Sequence, residues 1–241
     1  MPFSHVFAVC AYKDSPYLES CLKSLRAQTE PSKIILCTST PSPFLEKMGE
    51  RYGIPLYVRE GESNIKDDWN FAWEMAEGDF VTLAHQDDLY HKNYTKELRA
   101  AAERFPDLTV FTSDYVIIKG KKLITADRML WVKRFLRLPL RIPALGHLSW
   151  VKTLPLMLGN PICCPATTYC KKRLGEPLIR SDYQFVLDWE NMLRLAKSPG
   201  RWVCMERPLL YYRVHDGAAT KACMRDHRRE REEQEMFERF W

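Results

Sequence analysis

Short apolar runs alternate with amphipathic stretches through the first half of the chain. Val6 to Cys10 (VFAVC) is a continuous apolar run with the length of a buried strand. Ser15 and Pro16 then open a stretch in which Tyr17, Leu18, Cys21, Leu22 and Leu25 recur at helical spacing. Lys33 to Thr38 (KIILCT) predicts a second strand, and a Pro/Ser break over Thr40 to Pro43 precedes a helix through Leu45 and Met48 to Tyr52. Pro55 to Val58 predicts a third strand, Asp67 to Ala76 (DDWNFAWEMA) a helix that stops at Gly78, and Phe80 to Ala84 a fourth strand. Strands alternating with helices predict an α/β fold: a Rossmann-like, doubly wound, mostly parallel sheet with helices on both faces.

From about Thr109 the pattern changes. TVFTSDYVII predicts a strand and KGKK a hairpin-like turn. Trp131 to Trp150 mixes Trp, Phe and Leu with Lys133, Arg134, Arg137 and Arg141, while Pro139 and Pro143 limit any helix there. The segment has the character of a basic amphipathic surface that rests on anionic lipid. The alternative is an ordinary acceptor-domain helix whose cations snorkel. The tail, DHRREREEQEMFERFW, predicts a solvated helix whose Met236, Phe237, Phe240 and Trp241 dock on this chain, a second copy or a membrane. Two continuous halves are expected, 1–110 and 111–241.

Composition narrows the class. The 241 residues are 46% hydrophobic, enough for a real core. A net charge of +5 is too mild to argue for nucleic acid. The eight cysteines form no C-x-x-C pair and several lie in apolar runs, the usage of a reducing, cytoplasmic compartment. Met1-Pro2 leads into an apolar run without a basic leader, so no signal peptide is expected. No apolar stretch reaches the ~18–20 residues of a bilayer span.

The densest chemistry is FVTLAHQDDLYHK, residues 80–92, where the fourth strand runs into His85, Gln86, Asp87 and Asp88. In doubly wound sheets ligands bind in the crevice beyond the carboxyl ends of the strands. A divalent cation on a diphosphate would use both carboxylate and amide there. The alternative is structural: Asp87 or Asp88 caps the helix expected from about Tyr94.

Four segments resemble family 2 glycosyltransferases, in that family's order. They are VCAYKDSPYLESCLKSLRAQT, AWEMAEGDFVTLAHQDDLY, LDWENMLRLAKSPG and LLYYRVHDGAAT. The resemblance implies a GT-A fold and inverting transfer of a sugar from a nucleotide-sugar donor to a saccharide or lipid-linked saccharide acceptor. It implies a role in cell-surface polysaccharide synthesis and an Mn2+ or Mg2+ cofactor. Asp87 falls at the metal-ligating carboxylate, Gln86 at a ribose contact, and His85 at the first position of the acidic motif, often an Asp. Asp188 matches the general base, and Glu190, two residues on, faces elsewhere. Ala11 and Tyr12, at the end of the first strand, fall on the donor side, as does Asn70. Arg213 and His215 alternate, so an extended segment puts them on one face toward the diphosphate and its metal. Asn160 to Tyr169 resembles the acceptor-side lining. Two positions depart: Thr38-Ser39-Thr40 stands where a base-reading Asp pair is usual, leaving Thr38 to meet the base, and Trp69 replaces an Arg before Asn70. An indole there offers stacking.

Two rivals remain at this point. A nucleotidyltransferase also joins such a sheet to metal-bound carboxylates, but CAYKDSP has no glycine for a phosphate loop. A non-catalytic sugar-nucleotide-binding protein would explain the two departures. A second copy of the chain and the inner face of the membrane stand as further expected partners.

Overall fold

The computed structural model describes residues 3–217 and 227–240. The described residues form nine strands in one sheet. The first half alternates as its pattern predicts: β1 (His5–Ala11), α1 (Leu18–Arg26), β2 (Lys33–Thr38), α2 (Pro43–Tyr52), β3 (Leu56–Val58), α3 (Ile65–Met75) and β4 (Phe80–His85). A two-residue strand, β5 (Leu89–Tyr90), precedes α4 (Tyr94–Arg104). The second half brings β6 (Leu108–Lys119), β7 (Lys122–Ile124), α5 (Arg128–Leu136), α6 (Ser149–Thr153), β8 (Thr167–Cys170) and α7 (Lys171–Leu174). It closes with α8 (Leu187–Ala196), β9 (Arg201–Val214) and α9 (Arg228–Phe240).

Strand order is β3-β2-β1-β4-β8-β6-β9-β5, with β7 on β6. β3, β2, β1 and β4 are parallel, with Val6 opposite Lys33 and Val81. Beyond β4 the sheet is mixed: β8 is antiparallel to both β4 and β6, while β6 and β9 run parallel. The alternation of apolar residues along β1 explains why helices cover both faces. Val6 and Ala8 join one core with α3 and α8, and Phe7 and Val9 join the other with α1, α2 and α4.

Local chemistry sets the boundaries. Ser42 accepts the Leu45 N–H at 3.3 Å to start α2, and Gly53, left-handed at φ 55°, ends it. The KGKK turn is the β6–β7 hairpin, with Lys119 paired to Lys122. Pro208 has no N–H to give the ladder, and β9 shifts register where it meets Asp114.

The segment from Trp131 to Trp150 corrects one expectation. Its arginines do not form a basic outer face. Arg134 Nε donates to Asp114 Oδ2 at 2.7 Å, and Arg137 reaches the other oxygen of the same buried carboxylate. Arg141 faces Glu206 at 3.6 Å. The aromatics point outward instead, Trp131 being 64% and Phe135 71% exposed.

The tail helix docks on this chain, one of the three partners expected for it. Met236 is fully buried and Phe240 packs against the same core as α8. Trp241 and Cys223 lie outside the described residues. The cysteines among the described residues are free thiols. No helix among those residues is long and apolar enough to cross a membrane.

Candidate functional site at the carboxyl ends of the strands

β1, β2 and β4 run parallel and end together, so the turns that follow them share one edge of the sheet. His85 closes β4 beside Cys10 of β1. Neither Asp87 nor Asp88 caps the next helix: α4 starts after Asn93 and has no side-chain cap. Both carboxylates turn toward the end of β9 instead.

Asp87 is half-buried between two partners. Ser15 donates its hydroxyl to Oδ1 at 2.5 Å, and His215 Nε2 lies 3.1 Å from Oδ2. Asp88 is buried, and its Oδ1 accepts the Arg213 N–H at 2.8 Å. Burial pushes the Asp88 carboxyl up to about 8, and its Oδ2 has no partner among the described residues. Arg213 Nε donates to the Asp87 carbonyl at 2.9 Å while its guanidinium lies 4.4 Å from the centre of the Tyr17 ring. The same ring meets His215 at 5.0 Å. Arg213 and His215 therefore do share a face, and the two consecutive carboxylates of the β4 end hold it.

His85 and Gln86 line the inner wall. Gln86 Nε2 donates to the Tyr12 carbonyl at 2.8 Å, tying the β1 turn to the β4 turn, while Oε1 is buried and unpartnered among the described residues. Burial pushes the His85 imidazole down to about 4, and its Nε2 is also unpartnered among them. Ala11 is buried in the strand end, and Tyr12 is half exposed beside it.

Asp188 occupies the first turn of α8. Its Oδ1 accepts the Trp189 N–H at 2.7 Å and its Oδ2 accepts Asn160 Nδ2 at 3.0 Å. Burial raises its pKa above the ordinary carboxylate value; the Trp189 N–H, Lys133 and Asn160 pull the other way. Burial raises the pKa of the Cys164 thiol, and the charges of Asp188 and Asp88 raise it further. Glu190 does face away, onto Arg239 of α9 at 2.6 Å.

The sequence profile of glycosyl transferase family 2 matches residues 6–153, more than half of the chain. The chain belongs to glycosyl transferase family 2. No curated protein matches it in sequence. Among solved structures it is similar to S. aureus TarS 1-349 in complex with UDP-GlcNAc, at 16% identity and TM-score 0.66, over 92% of this chain and 61% of that one. It is similar to the mannosyltransferase PcManGT from Pyrobaculum calidifontis in complex with GDP-Man and Mn2+, at 15% identity and TM-score 0.62, over 95% and 61%. A third is glucosyl-3-phosphoglycerate synthase from Mycobacterium tuberculosis with Mn2+, UDP and glucosyl-3-phosphoglycerate, at 12% identity and TM-score 0.56, over 88% and 73%. These likenesses establish the GT-A fold. The chain spans about three fifths of the TarS 1-349 and PcManGT chains it matches.

Within this family 2 member the departures have visible consequences. Thr38 is buried, its Oγ1 accepting the Thr40 N–H at 3.0 Å, and Thr40 Oγ1 accepts the Lys13 N–H at 2.7 Å. The turn where an Asp pair is usual is thus knitted by hydroxyls to the turn after β1. Trp69 lies against the His85 ring at 5.3 Å and 32°. Asn70 grips the Ile179 backbone with both amide atoms, at 2.8 and 2.9 Å.

Three site residues escaped the sequence reading. Ser15 and Tyr17 read there only as a helix start, and Asn160 only as part of an acceptor-side loop. A hydroxyl and a ring directly after a strand end were the available signal for the first two.

A divalent cation fits the donor set. The Asp87 carboxylate is a sound ligand for Mn2+ or Mg2+, and the His215 imidazole 3.1 Å away suits Mn2+ better than the harder Mg2+. No cluster of three or more His, Cys, Asp or Glu suited to a metal occurs among the described residues. A cation on Asp87 and His215 would therefore complete its shell with substrate oxygens, the usual arrangement for phosphate-bound Mg2+.

Proposed function

We propose that the protein is an inverting glycosyltransferase that moves a sugar from a nucleotide-sugar donor to an acceptor hydroxyl in one displacement. The observation that carries this is the pairing of two unlike centres. Asp87, Arg213 and His215 form an anion-and-cation site at the strand ends. Asp188 is a desolvated carboxylate with a raised pKa on a separate helix. Raising a carboxylate toward the working pH suits it to proton transfer.

Asp188 takes the proton of the acceptor hydroxyl as that oxygen attacks the anomeric carbon from the face opposite the leaving group. Asn160 holds the carboxylate and Lys133 favours its charged form. The bond from the anomeric carbon to the diphosphate breaks as the new glycosidic bond forms, and the nucleoside diphosphate leaves with its negative charge. Arg213 receives that charge with its guanidinium. Asp87 and His215 would hold the cation, which supplies Lewis-acid neutralisation of the diphosphate. Ala11, Tyr12, Thr38, Asn70, His85 and Gln86 stand as the donor-side positions of the family pattern. Nucleotide donors and Mn2+ in the similar solved structures support this reading. The saccharide acceptor, the polysaccharide role and the reducing, cytoplasmic setting follow from family resemblance and thiol usage.

A donor-hydrolysis assay across nucleoside-diphosphate sugars tests it. Slow release of nucleoside diphosphate that needs Mn2+ or Mg2+ is the expected result. Pyrophosphate release from a nucleoside triphosphate and a sugar phosphate, with no nucleoside diphosphate released from the donors, would transfer the case to a nucleotidyltransferase, and binding without turnover would make the protein a non-catalytic binder.

A further inference from the structure

The outward side of α5 and the turns around α6 is apolar. Trp131 and Phe135 project from α5, Trp150 from α6, and Leu158, 74% exposed, from the turn beyond it. Leu154 and Met157 continue this surface toward Asn160. The 3-10 turn Leu154–Leu156 packs on α5, and its Leu156 carbonyl accepts the Trp189 indole N–H at 2.9 Å. Asn160 itself holds Asp188 at 3.0 Å. The apolar surface thus ends at the loop whose Asn160 holds Asp188.

Charge says what this surface meets. From Tyr115 to Gly175 the one acidic residue is Asp127, and its carboxylate caps α5 through the Leu130 N–H at 2.7 Å. Arg134 and Arg137 are withdrawn onto Asp114. Lys119, Lys121 and Lys122 of the β6–β7 hairpin and Arg128 at the head of α5 are exposed. They lie just ahead of Trp131 in the chain. A soluble protein partner would match an apolar patch of this kind with apolar area and mixed charge. An aromatic surface whose segment carries one acid, with Glu206 paired to Arg141 and exposed lysines just ahead of it in the chain, complements an anionic lipid headgroup layer over hydrocarbon.

We propose that this face docks on an anionic bilayer through Trp131, Phe135 and neighbouring apolar side chains, with the hairpin lysines on the headgroups. Docking there brings the Asp188 end of α8 toward a lipid-borne acceptor. The acceptor clause rests on the function proposed above; the docking clause does not.

The test is sedimentation of the full chain with vesicles of phosphatidylcholine alone and of phosphatidylcholine with phosphatidylglycerol, across a salt series. Binding is expected to be strongest on anionic vesicles at low salt and to weaken, without vanishing, as salt rises. Trp131→Ser with Phe135→Ser should lower the partition coefficient roughly tenfold or more. Lys121→Glu with Lys122→Glu should remove most of the salt-sensitive part. All these side chains are exposed, so unchanged far-ultraviolet circular dichroism and an unchanged unfolding midpoint are expected and check the fold. Brominated lipid should quench tryptophan fluorescence in the wild type and less in Trp131→Ser. Absence of binding to anionic vesicles at low salt would overturn the proposal, as would binding indifferent to the Trp131 and Phe135 changes. A dimer that these changes dissolve, without vesicle binding, would assign the face to a second copy instead. Nucleoside diphosphate release measured on the same preparations reports the transferase reading separately, because neither pair of substitutions touches Asp87, Asp188 or Arg213.

Discussion

Asp87 Oδ2 lies 3.1 Å from His215 Nε2, joining the end of β4 to the end of β9 across 128 positions of the chain. A carboxylate and an imidazole at that distance either hydrogen-bond each other or share a cation. Asp87→Asn keeps the shape but removes the charge that a divalent cation needs. Calorimetry of nucleoside diphosphate binding should then show the gain from Mn2+ reduced roughly tenfold or more, the scale on which metal sites respond to such changes. An unchanged gain from Mn2+ in the variant would remove Asp87 from the metal site.

Asp188→Asn leaves a side chain that still hydrogen-bonds but cannot accept the acceptor's proton. Transfer is expected to fall ~10²-fold or more with donor affinity nearly intact, because the lost interaction belongs to the transition state. The raised pKa sets the acid limb of the rate profile. Activity should be lost, as pH falls, at a higher pH than an ordinary carboxylate would give. Asn160 favours the charged form, so Asn160→Ala should move that limb to still higher pH. Near-normal transfer by Asp188→Asn would displace Asp188 as the base.

The inward arginines of α5 carry a stability prediction. Arg137 is buried, with its guanidinium on Asp114 and on the Ser113 carbonyl at 3.3 Å. Arg137→Met should leave Asp114 short of a partner and cost ~3–5 kcal/mol in urea unfolding, as breaking one side of a buried pair does. A surface cation of the kind the sequence pattern suggests would cost almost nothing, so a change under ~0.5 kcal/mol would place Arg137 at the surface.

What could be read in advance follows from the range of each interaction. The elements from β1 to β4 follow periodicity and turn residues, which are local, and their bounds match within a few residues; the two-residue β5 had no such signal. The consecutive Asp87 and Asp88, and the alternation of Arg213 with His215, were legible as chemistry. Their meeting was implied by the family resemblance alone and by no local pattern, because β9 is carried to the β4 end by a long parallel pairing with β6. The direction of Arg134 and Arg137 was also hidden. A helix with aromatics on one side and arginines on the other reads as amphipathic either way up, and only the buried Asp114 on β6 decides which side goes in.

His5 gives the fold a pH dependence away from the site. It is buried at the start of β1, with Nδ1 2.8 Å from Ser32 Oγ and Nε2 2.8 Å from Thr82 Oγ1. Burial lowers its pKa from 6.5 to about 3. Between those values the unfolded chain binds the proton and the folded chain does not, so stability falls as pH drops from 6.5 toward 3. His5→Asn lacks this proton. Its unfolding free energy should decline less than the wild type's over that window, by an amount on the order of a few kcal/mol. Parallel pH profiles of the two proteins would exclude His5 as a source.

Glu232 of α9 reaches across to the helix that carries Asp188. Its carboxylate accepts the backbone N–H groups of Gln184, Phe185 and Val186, the closest at 2.7 Å. These precede α8, which has no side-chain cap of its own, so a charged group from another helix holds the turn that leads into it. Arg239 on Glu190 and the edge contact of Phe237 with Trp189 fasten the same two helices. Glu232→Ala should cost about 1.5–3 kcal/mol, the range for hydrogen bonds to a charged group, and Glu232→Gln less. Because Asp188 sits in the first turn of α8, loosening that end should also lower kcat on the folded fraction while the donor KM holds. Glu232→Gln should recover part of both losses. Unfolding at the expected lower denaturant with wild-type kcat would make α9 a brace for stability alone. A fall in kcat that Glu232→Gln partly repairs would make it the element that holds the base in place.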